Sequence, residues 1–431
     1  MSDNFLSSFL GALQASLSVL LVIFYGVIAS QYKLLDGPSA KKISAACVRL
    51  FLPALLITRV GSELQAGTGT RYIPILIWAI LYSQVSIGIG LLAVKFWKFP
   101  AWVTPAVAFN NTTSLPLLLI ESLSSTGILD RLLLDGDSTE EAINRAQSYF
   151  LVCAIVGNCF TFAIGPRLID SENAPGNDKD SDDGSDANDR NQDGDDAERG
   201  SINDDELTSL LPHRVRKAGG ATHKRIFFIG NQKWEKLSPR TQDVLVFLFD
   251  FLNAPLLGAV LGAIIGLTPP LHRAFFNDSN DGGFLNAWLT SSLKKIGELF
   301  VTLQVVVVGV SLSSSLRKMK RGEDNGLPLL PTALVLLVRL VLWPVISIAV
   351  VWLLATKTNT LQQDPILWFT MMLMPTGPPA MKLIAMAEVN GAGEDDKMVI
   401  SKVLTLAYAC SPLLALTVVG SLYSSEAAIR L

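Results

Sequence analysis

"NNTTSLP", Asn110–Pro116, interrupts a stretch that otherwise reads as a membrane helix. "AWVTPAVAF" precedes it and "LLLIESL" follows it. Two amides, three hydroxyls and a proline are expensive in hydrocarbon, where every unpaired backbone or side-chain polar group costs several kcal/mol. Such a segment belongs beside a cavity in the protein interior, and the rest of the chain is read outward from it.

Composition fixes the solvent. Of 431 residues, 50% are hydrophobic and 17% charged, with a mean hydropathy of +0.40. Soluble domains carry about 25% charged residues. The apolar residues fall in blocks of the length, roughly 20 residues, that crosses a bilayer core. This is the pattern of an integral membrane protein. Phe5–Ser30 lacks a basic leader, has a longer apolar run than a signal peptide and precedes no small-residue cleavage site, so it is expected to stay as a span. Cys47, Cys153, Cys159 and Cys410 lie within apolar blocks without zinc spacing and read as packing residues. His213, His223 and His272 lie outside the blocks. No metal, cofactor or nucleic-acid partner is expected.

The pattern predicts ten spans. Phe5–Ser30, Ile43–Val60, Tyr72–Phe96, Trp102–Leu123 and Ser148–Ile169 precede a linker; Val244–Leu267, Trp288–Leu312, Leu329–Ala355, Ile366–Val389 and Val399–Leu422 follow it. The expected domains are a first five-helix repeat (1–169), an acidic linker (170–240) and a second five-helix repeat (241–431). The linker's "NDKDSDDGSDANDRNQDGDDAERG" buries too little apolar surface to offset ordering entropy and reads as disordered. Its basic end, with Phe227, Phe228 and Trp234, is either an ordinary juxtamembrane segment or one that rests on anionic membrane lipid. Lys and Arg in the short loops place the linker in the cytoplasm and both termini opposite. Five spans per half is an odd number, so the second half enters the membrane inverted. Related halves then form an inverted-topology repeat.

The fourth block of the second half carries "LMPTGPPAMKLIAMAE", matching the fourth block of the first. Proline removes a donor and clashes with the carbonyl one turn back, so both spans are expected to break. Interrupted spans at corresponding positions point to a transporter binding site, where half-helix N-termini turn N–H groups and partial positive charge toward an anion. Asn110, Asn111, Thr112 and Thr113 either bind that ligand or repair the broken backbone.

"RLFLPALLITRVGSEL", "FNNTTSLPLLLIESL" and "MPTGPPAMKLIAMAEV" resemble the auxin efflux carrier family, most closely its PIN-LIKES branch and fungal relatives. The resemblance covers both membrane halves. It implies ten helices in two inverted repeats, with helices four and nine broken at prolines and crossing at mid-membrane. It also implies a scaffold and a moving part, with substrate at the crossover. Carried over by position, Asn111–Pro116 and Pro375, Thr376, Gly377, Pro378 and Pro379 form that crossover. Plant members of the family carry auxins, which are small indolic carboxylates.

Charged residues inside spans each invite a role, since a charge at mid-bilayer costs at least about 2.5–3.5 kcal/mol. Lys382 follows the second break and either faces an anionic substrate, pairs with Glu121 or snorkels to the surface. Asp250 and Arg339 sit deeper. Arg339 is a candidate for fixing the bundle, and Asp250 or Glu121 for carrying a coupling proton.

The expected function is secondary transport of small organic anions by alternating access, with helices one, two, six and seven as scaffold. A receptor that binds the anion without moving it is the rival reading. An intramembrane enzyme is disfavoured, because no nucleophile motif or metal-ligand cluster is legible. A homodimer is the candidate assembly. "DDELTSLLP" in the linker resembles an acidic dileucine signal for a vacuolar or endosomal address, whereas the family resemblance favours the endoplasmic reticulum over these or the plasma membrane.

Overall fold

A computed structural model of the chain describes residues 2–64, 69–133, 136–165, 168, 254–320, 326–358, 360–389 and 394–430. The linker and Asp250 lie outside these residues. Among them the chain is helical, without a β-strand.

The elements are α1 (Ser2–Gln31), α2 (Gly37–Glu63), α3 (Ile73–Trp97), α4 (Val103–Ala108), α5 (Ser114–Ser124), α6 (Thr139–Ala163) and α7 (Ala254–Leu267). Then come α8 (Pro269–Phe276), α9 (Ser291–Lys320), α10 (Leu329–Lys357), α11 (Pro365–Leu373), α12 (Lys382–Val389), α13 (Glu394–Ala409) and α14 (Leu414–Ile429). Six described helices are long and apolar enough to cross a membrane, and α7 with α8 makes a seventh if their 102° bend is one span.

Four expected blocks change form. The fourth and ninth are each two short helices, α4 with α5 and α11 with α12. The fifth opens at Thr139 and not Ser148, because Ser138 caps it. Ser138 Oγ accepts from Glu141 N and Glu141 Oε2 from Ser138 N, both at 3.2 Å, a reciprocal capping box. The tenth is divided at Ser411–Leu413, a 3₁₀ turn containing Pro412, which has no N–H to continue the ladder. Prolines act similarly inside α2 and α10. Widened π-turns at Cys47–Phe51 and Val338–Leu342 come just before Pro53 and Pro344, absorbing the missing donor without ending the helix.

Small residues bring backbones together. A Cβ on Gly26 would lie 2.1 Å from the Val306 carbonyl, and one on Gly309 1.9 Å from the Ile23 carbonyl, so α1 and α9 cross in contact. On α7, a Cβ on Gly258 would lie 2.6 Å from Pro53 and one on Gly262 2.9 Å from Leu56, both of α2, and one on Gly266 2.3 Å from Leu64 just beyond it. Lipid tails are as apolar as leucine, so dispersion between close-packed backbones is what holds such pairs.

The broken spans sit at the centre. Every residue of α4 and of α11 is buried, as is α5 from Ser114 to Ile120. Exposed leucines, isoleucines and phenylalanines lie instead on α1, α3, α7 and α10. Irregular backbone is thereby sheltered inside protein, as a membrane requires.

Candidate functional site

The two breaks meet. Asn110 and Pro379 form an isolated antiparallel bridge, in which Asn111 N donates to the Pro378 carbonyl at 3.0 Å and Ala380 N to the Phe109 carbonyl at 2.9 Å. Extended backbone from each span thus satisfies the other.

The rest of the freed backbone is paired one group at a time. The last carbonyls of α11 need outside donors, because no further turn follows. Met371 O accepts from Trp78 Nε1 on α3 at 2.9 Å, and Met372 O from Ser347 Oγ on α10 at 2.6 Å. Leu373 O takes the Thr376 hydroxyl at 2.7 Å. Met374 O and Thr376 O both accept from Asn110 Nδ2, at 2.9 and 2.7 Å, and Pro375 O from Arg339 Nη1 at 3.0 Å. Gly377 turns the chain at φ +100°, in the region that favours glycine.

In the fourth span the break is made by amides and hydroxyls. Asn111 Oδ1 accepts from Thr113 N at 3.3 Å and from Ser114 Oγ at 3.4 Å, while its Nδ2 donates to Tyr408 Oη at 3.1 Å. Pro116 lies beyond the break, in the first turn of α5, where a missing N–H costs nothing.

A polar cavity of about 30 Å³ opens beside the bridge. The residues at the starts of α5 (Thr112, Thr113, Ser114) and α12 (Ala380, Met381, Lys382) line it. Asn158 and Thr161 of α6 line it too, with Gln304 and Val308 of α9. Lys382 Nζ donates to Asn158 Oδ1. Two half-helix N-termini and an ammonium therefore converge on one small space, an arrangement that favours negative charge.

A sequence profile described as "Membrane transport protein" matches residues 12–419, nearly the whole chain. The chain belongs to the membrane transport protein family. It is 24% identical to an uncharacterized transporter of Schizosaccharomyces pombe, over 92% of this chain and 91% of that one. It is 22% identical to an uncharacterized transporter of Saccharomyces cerevisiae, over 88% and 87%. Protein PIN-LIKES 7 of Arabidopsis thaliana is 29% identical over 38% of this chain and 40% of its own. These relatives are similar along both membrane halves or one of them. The family and its full-length matches are transporters and not enzymes, and the chain is an integral membrane protein.

Within this transporter, the residues singled out in the sequence divide. Asn110, Asn111, Thr112, Thr113 and Lys382 line the cavity. Thr376, Pro378 and Pro379 build the bridge and its turn. Arg339 is wholly buried and donates to the Pro375 carbonyl, which ties α10 to the turn after α11. Glu121 is exposed near the end of α5, and the ammonium of Lys382 is turned to Asn158 instead.

Three contributors were missed. Asn158, Gln304 and Tyr408 are polar residues in apolar runs, "VGNCF", "TLQVV" and "LAYAC". The cost of an amide or phenol in lipid is the available signal, and away from the two proline-bearing blocks the reading applies it to charged groups alone.

Proposed function

We propose that this chain is a secondary transporter of small organic anions that works by alternating access at the crossing of its two broken spans. The observation that carries this reading is the convergence of the α5 and α12 N-termini, Lys382 and Asn158 on one polar cavity. A cavity of about 30 Å³ holds roughly two waters or one carboxylate. Pockets for drug-sized ligands run to about 300–1,000 Å³. Admitting a whole ligand therefore requires the α9 wall to part from the bundle that carries the breaks, the motion that alternating access needs.

The same reading includes ten spans in two inverted halves, with α4/α5 and α11/α12 as the fourth and ninth. The helices joined at close glycine contacts, α1, α2, α7 and α9, serve as scaffold. The basic short loops support cytoplasmic exposure of the linker, and an endoplasmic reticulum address follows from the PIN-LIKES likeness. At the cell surface, a monoanion expelled from a negative interior gains about 2.3 kcal/mol per 100 mV, so a uniporter suffices there.

Small indolic carboxylates are the first ligands to try. Uptake of labelled indole-3-acetate and a panel of other organic acids into proteoliposomes tests the proposal. Saturable uptake that Lys382→Ala or Asn111→Ala removes, in protein that still elutes as a folded species, supports it. No uptake above empty liposomes for any acid overturns it, and binding without uptake would make the chain a receptor.

A further inference from the structure

Two amide side chains that line the cavity each carry one buried atom with no hydrogen-bond partner among the described residues: Asn158 Nδ2 and Gln304 Oε1. Asn158 is 2% exposed. An unpaired buried amide group costs about 1–3 kcal/mol, so a native site that keeps two of them invites a partner that comes and goes. Their chemistry differs. Asn158 accepts from Lys382 through Oδ1, which leaves Nδ2 as an unused donor beside an ammonium. Gln304 donates through Nε2 to Ser44 Oγ at 3.4 Å, which leaves Oε1 as an acceptor. The donor is on α6 and the cation opens α12, the second half of a broken span, while the acceptor is on α9.

Resting on the transport reading above, we infer that the site is two-ended. Lys382 and Asn158 hold the carboxylate of the ligand, and Gln304 accepts a hydrogen bond from an N–H or O–H of the same molecule. The substrate class is thus a small monocarboxylate that carries its own donor. An acid without that donor leaves Gln304 Oε1 dehydrated and unpaired when the cavity closes on it, and this penalty is the basis of discrimination. Because the two ends sit on different helical units, a ligand with both groups is also the one that bridges them.

The test uses matched acids that differ by one donor: indole-3-acetate against 1-methylindole-3-acetate, and 2-hydroxy-3-phenylpropanoate against 3-phenylpropanoate. In proteoliposomes the wild-type protein should prefer the donor-bearing member of a pair by about tenfold or more in uptake efficiency. Gln304→Leu should bring the two members together, chiefly by lowering uptake of the donor-bearing one. Asn158→Leu should lower both alike. Equal wild-type uptake within both pairs, or a preference that survives Gln304→Leu, overturns the inference and leaves the transport reading standing. No uptake of any acid overturns both.

Discussion

Asn110→Ala separates repair of the backbone from contact with a ligand. Asn110 Nδ2 donates to Met374 O and Thr376 O at 2.9 and 2.7 Å, and its side chain is 6% exposed. Alanine leaves two buried carbonyls bare, at about 1–3 kcal/mol each. The expected loss is therefore about 2–6 kcal/mol of the free energy that holds the two breaks together. Thermal unfolding of the purified protein in detergent, followed by intrinsic fluorescence, should show the midpoint fall by several degrees. Thr112→Val is the control, since Thr112 lines the cavity and supports neither carbonyl. It should unfold with the wild type and change uptake alone. If Asn110→Ala unfolds with the wild type yet abolishes uptake as fully as Lys382→Ala, Asn110 is a ligand contact and the reasoning is refuted.

The other expectations concern packing and backbone. Gly309→Ala sets a methyl into the Ile23 carbonyl and should cost about 1–3 kcal/mol, read as a lower unfolding midpoint and a lower yield of folded protein. Tyr149→Phe removes a 2.7 Å bond to the Asp364 carboxylate, which also caps α11 through Ile366 N. It should destabilise by about 1.5–3 kcal/mol, with little change in the KM for uptake. Gly377→Ala forces an L side chain to φ +100° and should destabilise by about 1 kcal/mol or more, with slower uptake, because the turn sets the bridge.

Some of this was legible in the chain and some was not, for physical reasons. The cost of polar groups in lipid made Asn110–Ser114 and Pro375–Pro379 stand out, and both are breaks. Pro116 drew attention as a breaker, yet it lies in the first turn of α5 where proline is tolerated. A proline marks disturbed helix without saying on which side the disturbance falls. The donors that repair α11 were beyond local reading. Trp78, Asn110, Arg339 and Ser347 are far from it in sequence, and only folding brings them to its carbonyls. The start of α6 is readable from its capping residues. "STEE" at Ser138–Glu141 is a capping box, but hydropathy alone put the boundary at Ser148. The cavity itself needed three dimensions. Asn158 and Gln304 come from separate halves of the chain, and neither sits in a motif.

The most direct test of the central claim, that the space beside the crossing is where substrate sits, is protection of a thiol placed there. With the four native cysteines replaced, Thr112→Cys puts a thiol in the cavity wall. Its rate of modification by a small methanethiosulfonate reagent would be measured with and without an acid that the protein takes up. The account predicts a slower reaction as that acid saturates uptake, with half-protection near its KM. A rate unchanged at saturating acid, in a variant that still transports, would contradict it.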